Sequence, residues 1–455
     1  MKLIWLLILH FCVLGFTNSL CLGQDVASPN IVLIISDDQA WSDYGFMAHP
    51  DIKTPNIDKL AAQSAVFRRG YVPTALCRPS LATLLTGHYA STHGITGNDP
   101  SPKYAKRDSK LYNERRTKLI SYIDRFDTLP ELLGKQGYLS HQSGKYWEGS
   151  FRHGGFTHGM TRGYPEKGGR HGDDGLRIGR SGMEEIRDFV GTARGQKKPF
   201  FLWYAPFLPH TPHNPPERLL KKYRAKGLPI TIAKYYAMVE WFDETCGQLL
   251  GILNEAGVRK DTLIVYVTDN GWIQNSERNG YGPRSKQTPY EAGVRTPILY
   301  SWPEKISSGE RSELTSSIDI VPTILAASGA EIPAGLPGLN LLANLTENQS
   351  IERNAIFGES FAHDIADIEK PEASLLFRWV IKGDWKLLLT YDGEVNRYKS
   401  THPRKEKRPQ LFNLKEDPHE KKNRAGEAGD VVAQLVMKID NWYPVKERKV
   451  LKVFK

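Results

Sequence analysis

Cysteine is scarce in this chain of 455 residues, and its scarcity excludes one class of protein. The four cysteines include Cys12 and Cys21, which lie in an apolar leader, so the mature protein would keep only Cys77 and Cys246. Small secreted domains that rely on disulfides carry many more. A disulfide scaffold is therefore excluded, whereas a single bridge between Cys77 and Cys246 stays open.

Long apolar runs are missing after the leader. Residues 1–23 have the pattern of a secretory signal peptide, with Lys2 as the charged start and Leu3 to Phe16 as an apolar core that is too short to span a bilayer. We expect cleavage after Gly23, a secreted or periplasmic protein, and no transmembrane segment.

Other signatures are absent too. We find no nucleic-acid-binding module, no internal repeat, and no closely spaced histidine and cysteine ligands of a zinc site. The formal net charge of +10 favours an anionic partner, such as a sulfated or acidic polymer, although a solvated basic surface without a partner has the same charge. The length exceeds the size at which one core stops growing, so we expect one large domain and a smaller one.

Two apolar segments end in side chains that carry oxygen atoms. The runs Asn30 to Ser36 and Thr262 to Thr268 are typical of strands buried in a parallel sheet. The side chains that follow them are those of Asp37, Asp38, Asp269 and Asn270. Buried carboxylates next to each other repel and lose hydration, and Ca²⁺ and Mg²⁺ prefer carboxylate and amide oxygens. The sequence therefore predicts a divalent metal site at the carboxyl ends of these strands.

The segment from Thr74 to Gly87, TALCRPSLATLLTG, places Cys77 at or just before the start of a predicted helix, with Ser80 as a candidate cap. The N-terminus of a helix carries partial positive charge, which suits an anion or an activated nucleophile. A buried and inert cysteine fits this pattern about equally well.

The same segment resembles the maturation signature of the type I sulfatases of the alkaline phosphatase superfamily. The matching residues are Cys77, Pro79, Ser80, Thr86 and Gly87. The resemblance implies that a formylglycine-generating enzyme oxidises the cysteine to formylglycine, whose hydrated aldehyde is the nucleophile. Leu81 departs from the signature, because the family usually has an arginine there that belongs to both the recognition motif and the pocket.

Further motifs of the family follow in order. Lys145 matches the lysine of a Gly-Lys pair, and His210 matches the histidine of a Pro-His-x-Pro element, with His213 beside it. Lys286 matches the lysine of Lys-x-x-x-Tyr-Glu-x-Gly-x-Arg-x-Pro. Trp147 is a second departure, because the family usually has there a histidine that touches the aldehyde hydrate.

The resemblance implies roles for these residues. The expected catalytic residues are Cys77, Lys145, His210 and Lys286. The expected metal ligands are Asp37, Asp38, residue 77, Asp269 and Asn270, with Ca²⁺ favoured over Mg²⁺. The expected substrate contacts are Lys145, His210, Lys286 and His213.

The implied fold is α/β, an alkaline-phosphatase-like mixed β-sheet sandwiched by helices, with a small C-terminal antiparallel-sheet subdomain. We expect the catalytic domain in residues 24–334 and the subdomain in residues 335–455. The implied function is hydrolysis of a sulfate ester, with release of inorganic sulfate from a sulfated small molecule or polysaccharide. Two alternatives stay open: a non-catalytic sulfatase-like protein that binds a glycan, and a phosphoesterase or phosphonate hydrolase of the same superfamily.

Three segments lie between the motifs. The sequence predicts a helix over residues 56–66. Residues 98–125 are strongly basic and indicate an insertion at the rim of the site, and residues 150–180 form a long irregular loop. The candidate substrate contacts in that loop are His153, His158, Arg162, Arg170 and His171. In the family, the histidine at the position of Trp147 is the usual base that deprotonates the aldehyde hydrate. We predict that His93 or His141 substitutes for it, or else that the reaction is slow or redirected.

Overall fold

The computed structural model describes residues 28–398 and 409–446. The predicted signal peptide, residues 1–23, lies outside the described residues. Strands β1 to β10 are Asn30–Ser36, Ala65–Tyr71, Asp99–Pro100, Leu139–Gly144, His158–Gly159, Phe200–Ala205, Thr262–Thr268, Arg295–Ser301, Gly309–Arg311 and Thr315–Ser316. Strands β11 to β15 are Ile356–Phe361, Asp364–Ile365, Leu375–Lys382, Trp385–Thr390 and Gln410–Asn413.

Helices alternate with these strands along most of the chain. Helices α1 to α6 are Pro55–Ala62, Cys77–Thr86, Ala90–His93, Lys110–Ile120, Leu129–Gly134 and Glu184–Gly195. Helices α7 to α12 are Glu217–Arg224, Ile230–Glu255, Glu291–Val294, Ile320–Ser328, Leu342–Glu347 and Gly429–Trp442. None of the described helices has the length and apolarity that crossing a membrane requires.

A nine-stranded mixed sheet forms the centre of the molecule. Its strand order is β10-β2-β8-β7-β1-β6-β4-β5, with β9 beside β2. Strands β7, β1, β6 and β4 are parallel neighbours, and β8 runs antiparallel to both β7 and β2. Strands β1 and β7 consist almost wholly of buried apolar residues. Helices cover both faces of the sheet and keep these side chains from water. The predicted mixed sheet sandwiched by helices is confirmed.

A second, smaller sheet follows in the C-terminal part of the chain. It is antiparallel, in the order β11-β13-β14-β15, and α12 packs on it through Leu435 and Ile439. The predicted small antiparallel sheet is confirmed, whereas the domain boundary at residues 334 and 335 stays a prediction. A separate two-stranded pairing of β12 with β3 joins this part of the chain to the segment after α3.

Two local predictions need correction. The helix expected over residues 56–66 ends at Ala62, because Ala65 and Val66 already belong to β2. Ser80 is not a cap, since α2 starts at Cys77 and places Ser80 inside its first turn. The basic segment 98–125, predicted as an insertion at the rim of the site, contains α4.

A buried ion cluster joins the small sheet to the catalytic part. Lys386 of β14 has a fully buried side chain whose Nζ lies 2.9 Å from Glu291 Oε1 and 3.0 Å from Glu420 Oε1. Glu291 also accepts a hydrogen bond from the Tyr71 hydroxyl of β2 at 3.0 Å. Burial, with Glu291 beside it, raises the pKa of Glu420, although Lys386 opposes the shift. The lysine is therefore the charge that holds two buried carboxylates together.

We expect Lys386→Met to destabilise the protein by about 3–5 kcal/mol, because it leaves buried Glu420 without a cation and Glu291 with only the more distant Arg295, at 3.6 Å. The midpoint and slope of urea unfolding measure the change. Lys382→Met on the adjacent β13 is the matched control, since the Nζ atom of this lysine donates a hydrogen bond to Gln434 at the surface, and a change within about 0.5 kcal/mol is expected there. Equal effects of the two substitutions would contradict the assignment.

Candidate active site

The carboxyl ends of four neighbouring parallel strands meet at one edge of the large sheet. Asp269 and Asn270 follow β7, and Asp37 and Asp38 follow β1. The loop after β6 carries His210 and His213, and Lys145 follows β4. Ser36 of β1 pairs with Thr268 of β7, so the two acidic pairs leave the sheet side by side. The register of the sheet thus brings residues from distant parts of the sequence together.

Lysines neutralise the carboxylates at this edge. Lys145 Nζ lies 2.8 Å from both oxygens of Asp37, and Lys286 Nζ lies 2.6 and 2.8 Å from those of Asp38. His210 Nε2 lies 3.4 Å from Asp38 Oδ2. Apart from His210, which is half-buried, these side chains are almost fully buried, so each pair interacts with little screening by water.

The protonation equilibria follow from burial and from these partners. Burial raises the pKa of Asp37 to about 7, against the effect of Lys145. Burial also acts on Asp38, but Lys286 and His210 outweigh it and hold the pKa of that carboxyl below its ordinary value. The pKa values of Lys145 and Lys286 lie above their ordinary value because their carboxylate partners outweigh burial. Burial lowers the pKa of His210 to about 3, so its ring is neutral at pH 7.

The oxygen atoms at this edge fit a divalent cation. Asp269 Oδ2 and Asn270 Oδ1 are buried and accept no hydrogen bond from the described residues, an arrangement that costs free energy unless a cation is bound. Ligand atoms of Asp37, Asp38 and His210, together with Cys77 Sγ, lie within 4.8 Å of one another. The predicted oxygen ligands are therefore brought together, and their role as metal ligands stays a prediction.

Cys77 is the first residue of α2, and its side chain is buried beside the same groups. Its Sγ accepts a hydrogen bond from Lys286 Nζ at 3.1 Å and lies 4.0 Å from Asp37 Oδ1. Burial raises the pKa of the thiol to about 12, although Lys145 and Lys286 oppose the shift. Both Cys77 and Cys246 are free thiols, so the bridge that the sequence left open does not form.

Glycine at position 144 sets the direction of Lys145. Gly144 has a φ of +86°, and a Cβ atom there would stand 1.9 Å from the carbonyl oxygen of Ala205 on β6. No side chain fits, so glycine lets β4 approach β6 closely before the chain turns and the lysine points to Asp37. This is the physical reason for the Gly-Lys pair.

A cavity of about 850 Å³ opens above these residues. The predicted site residues that line it are Cys77, Lys145, His210, His213 and Lys286. From the loop of residues 150–180, Arg170 and His171 line it, whereas His153, His158 and Arg162 do not. Sequence reasoning assigned no role to other lining residues, namely Asn98, Lys234, Trp272, Tyr281, Gln287, His363, Arg397 and Tyr398. Trp272 lies shortly after a predicted strand and could have been indicated by that position, whereas Asn98, Lys234 and Gln287 carry no such local signal.

The two histidines predicted as substitute bases lie elsewhere. His93 is fully buried, and its Nε2 lies 3.3 Å from Thr83 Oγ1 within the packing of α2. His141 on β4 packs against Phe189, with ring centroids 5.0 Å apart, on the side of α6. Neither ring lines the cavity. The prediction that one of them supplies the base is therefore wrong.

Two known family models together match most of the chain. The family model described as Sulfatase matches residues 29–330, and a second model, described as N-sulphoglucosamine sulphohydrolase, C-terminal, matches residues 280–443. The chain belongs to the sulfatase family. It is an enzyme that hydrolyses sulfate esters. Relatives that match it over most of its length are named as sulfatases.

Two curated relatives show how far the similarity extends. N-acetylgalactosamine-6-sulfatase of Rattus norvegicus is 27% identical over 439 residues, which cover 86% of this chain and 80% of the relative. Arylsulfatase A of Bos taurus is 28% identical over 482 residues, which cover 93% of this chain and 89% of the relative.

Solved structures show the same fold. Ps i-CgsB in complex with k-i-k-neocarrahexaose superimposes with a TM-score of 0.69 at 23% identity, covering 92% of this sulfatase and 94% of that chain. A protein in complex with its substrate D-glucosamine-2-N,6-O-disulfate gives a TM-score of 0.68 at 20% identity, covering 91% and 97%. At these identities the likeness extends to the fold alone.

Leu81, the departure from the family signature, shares a helix with a buried arginine. Leu81 of α2 is buried in the apolar core, and Arg78 lies one turn earlier on the same helix. The fully buried guanidinium of Arg78 forms an ion pair with Glu148 at 2.6 Å and lies 5.9 Å from the ring of Trp147. The buried guanidinium therefore has its own carboxylate partner.

We expect the unmodified Cys77 thiol to react slowly with iodoacetamide. The raised pKa leaves the native thiol protonated below about pH 12, so its alkylation at pH 8 should be at least about 100-fold slower than in urea. The native rate should also keep rising about tenfold per pH unit from pH 7 to pH 10. Mass spectrometry of the peptide that contains Cys77 measures both rates, and a native plateau below pH 8 would contradict the shift.

Proposed function

We propose that this sulfatase hydrolyses the sulfate ester of a saccharide through a formylglycine made from Cys77, with a divalent cation at the carboxyl edge of the sheet. The observation that supports it most directly is the position of Cys77, between Lys145 and Lys286 and beside three buried carboxylates at the bottom of the cavity. We also propose a secreted or periplasmic location, because the leader has the pattern of a signal peptide.

The state of Cys77 favours modification. A thiol with a raised pKa is a poor nucleophile at neutral pH, because a cysteine attacks a sulfate ester only as its thiolate. Oxidation to formylglycine replaces the thiol by a hydrated aldehyde, which supplies two hydroxyl groups on one carbon. A formylglycine-generating enzyme would be the partner for this step, with Arg78 and Leu81 in the signature that it reads.

Charge balance supports the cation. A bound cation requires Asp37, Asp38 and Asp269 in their ionised form. Their three negative charges then exceed the two positive charges of Lys145 and Lys286, because His210 is neutral. A net negative charge would repel the anionic sulfate ester, whereas a divalent cation makes the site positive. Asp37, Asp38, Asp269 and Asn270 would hold it, and the oxygen ligands suit Ca²⁺ first and Mg²⁺ second. When bound, the cation would polarise sulfate oxygens.

The two lysines and His210 have different roles in the proposed reaction. Lys145 and Lys286 keep their charge well above neutral pH, so they would stabilise the sulfate oxygens as negative charge builds up. His210 donates its Nδ1–H to the carbonyl oxygen of Thr211 at 2.6 Å, so Nε2 of the neutral ring carries no proton. The histidine would protonate the leaving ester oxygen only after taking up a proton at Nε2.

His171 is our candidate for the base. Its ring lines the cavity and packs on Trp147 and Phe207, with centroids 5.3 and 5.4 Å away. Its backbone oxygen accepts a hydrogen bond from the nitrogen of Tyr146, the residue after Lys145. Burial, Lys145 and Arg170 lower the pKa of His171 to about 3, so in the free site the ring is neutral and a weak base. A bound anionic substrate would raise this pKa and make the ring a better proton acceptor. No described residue forms a hydrogen bond with its Nδ1.

The alternatives predict other outcomes. A glycan-binding protein without catalysis would bind sulfated sugars but release no sulfate. A phosphoesterase would hydrolyse an aryl phosphate faster than the matching aryl sulfate. The intact lysines, histidine and carboxylates disfavour the first alternative, because binding alone does not need buried charges at such cost.

Mass spectrometry of the peptide from Gly70 that contains Cys77, from protein made in its own host, tests the modification. We expect a mass lower by the difference between thiol and aldehyde, together with turnover of 4-nitrocatechol sulfate that Cys77→Ala abolishes and that a chelator removes reversibly. Cys246→Ala is the control, because this thiol lies in the core of α8 far from the cavity lining. An unmodified Cys77 in active protein would refute the mechanism.

We expect His171→Gln to reduce steady-state turnover by about 10²–10⁴-fold, because it removes the group that accepts the proton. Binding of inorganic sulfate, measured as product inhibition, should change less than threefold. His158→Gln is the matched control, since this histidine belongs to the same loop but does not line the cavity. Recovery of turnover with added imidazole would support a proton-accepting role, and unchanged turnover in His171→Gln would contradict it.

A further inference from the structure

Two aspartates from distant segments lie side by side next to the cavity. Asp99 of β3 pairs in register with Asp364 of β12, and the side chains of both are almost fully buried. Each is bound to an arginine that lines the cavity. Arg170 Nε donates to Asp99 Oδ2 at 2.9 Å, and Arg397 Nε lies 2.9 Å from Asp364 Oδ2.

The two arginines are fixed in place by more than these carboxylates. Arg170 lies over the ring of Trp147, 4.6 Å from its centroid, and Arg397 lies over Tyr398 at 4.7 Å. Arg397 Nη2 also donates to the hydroxyl of Tyr398 at 2.9 Å. A planar guanidinium that is already oriented loses little freedom when it binds an anion.

Donor groups remain for a ligand. Within residues 28–398 and 409–446, no acceptor is bonded to Nη1 of Arg170 or of Arg397. Their side chains are 37% and 44% exposed, so the free edges are reachable from the cavity. Arginine presents two parallel N–H groups to a carboxylate or sulfate, which a lysine does not.

The local charge favours an anion. Asp99 is shared between Arg170 and the buried Arg116, so this group of three side chains carries a net positive charge. Lys234 adds another cation to the lining, and the described lining contains no aspartate or glutamate. These charges are additional to Lys145 and Lys286, which lie at the sulfate position itself.

We propose that Arg170 and Arg397 form a second anion subsite, which binds a further sulfate or carboxylate group of the substrate next to the ester that is hydrolysed. The inference rests on the proposed function, because it names the substrate class of the same cavity: a saccharide that carries at least two anionic groups. Asp99 and Asp364 are positioning residues that hold the two guanidinium groups at the cavity wall.

Inhibition of 4-nitrocatechol sulfate hydrolysis measures binding to this subsite. The probes are inorganic sulfate, D-glucosamine-6-O-sulfate, D-glucosamine-2-N,6-O-disulfate and a 6-sulfated disaccharide that contains a uronate. We expect at least one doubly anionic probe to inhibit the wild-type protein at a concentration about tenfold or more below that of the monosulfate. A preference for the disulfate or for the uronate identifies the second anion as sulfate or carboxylate.

Arg170→Gln and Arg397→Gln should each raise the inhibition constant of that doubly anionic probe about tenfold or more. The constants for inorganic sulfate and the monosulfate should stay within threefold. Arg187→Gln is the matched control, because this arginine of α6 is exposed and paired with Glu255 away from the cavity lining. Arg397→Lys, which keeps the charge but not the planar pair of donors, should restore the affinity only in part.

Two results would overturn the subsite. One is a wild-type protein that binds no doubly anionic probe more tightly than the monosulfate, and the other is a loss of affinity that is equal for all four probes. Thermal stabilisation of the protein by the same probes provides a readout without turnover. A protein that shows this selectivity but hydrolyses no sulfate ester would refute the proposed function and leave the subsite standing.

Discussion

Buried carboxylates at the end of the central strands are the constraint on which the site depends. Asp37, Asp38 and Asp269 emerge side by side because β1 and β7 are paired up to their last residues. Three such charges would not stay together without cations, so Lys145 and Lys286 are drawn in from the two flanks. The same lysines reach the position of Cys77, and one arrangement of charges therefore serves both stability and chemistry.

The two departures from the family signature belong to one packing arrangement. Trp147, where the family usually has histidine, lies between Arg78, 5.9 Å from its ring, and Arg170, 4.6 Å from it. Arg78 in turn sits one turn before Leu81, the other departure. Leucine fills the core where an arginine would need a buried partner, while Arg78 has its own in Glu148. Both departures are thus accommodated by the packing around Arg78.

The C-terminal part of the chain does more than cover the large sheet. Through β12 it pairs with β3 and brings His363 and Arg397 to the cavity wall. Through β14 it places Lys386 between two buried carboxylates. Residues of the C-terminal part and of the large-sheet part together form the cavity wall and the ion cluster. The site therefore depends on the packing of these two parts and not on the large sheet alone.

The central strands and the polar residues at their carboxyl ends could be predicted from the sequence alone. The apolar runs of β1, β6 and β7, and the polar residues after each, are local patterns. They are sufficient to predict the buried central strands and the proximity of Asp37 to Asp269. The predicted end of α1 is wrong because Ala65, the first residue of β2, continues the helical spacing of Ile57, Leu60 and Ala61. Arg78 beside Trp147, His171 in the cavity and the pairing of Asp99 with Asp364 depend on the tertiary structure. These contacts join segments far apart in the chain, and side-chain packing leaves no periodic pattern from which they could be read.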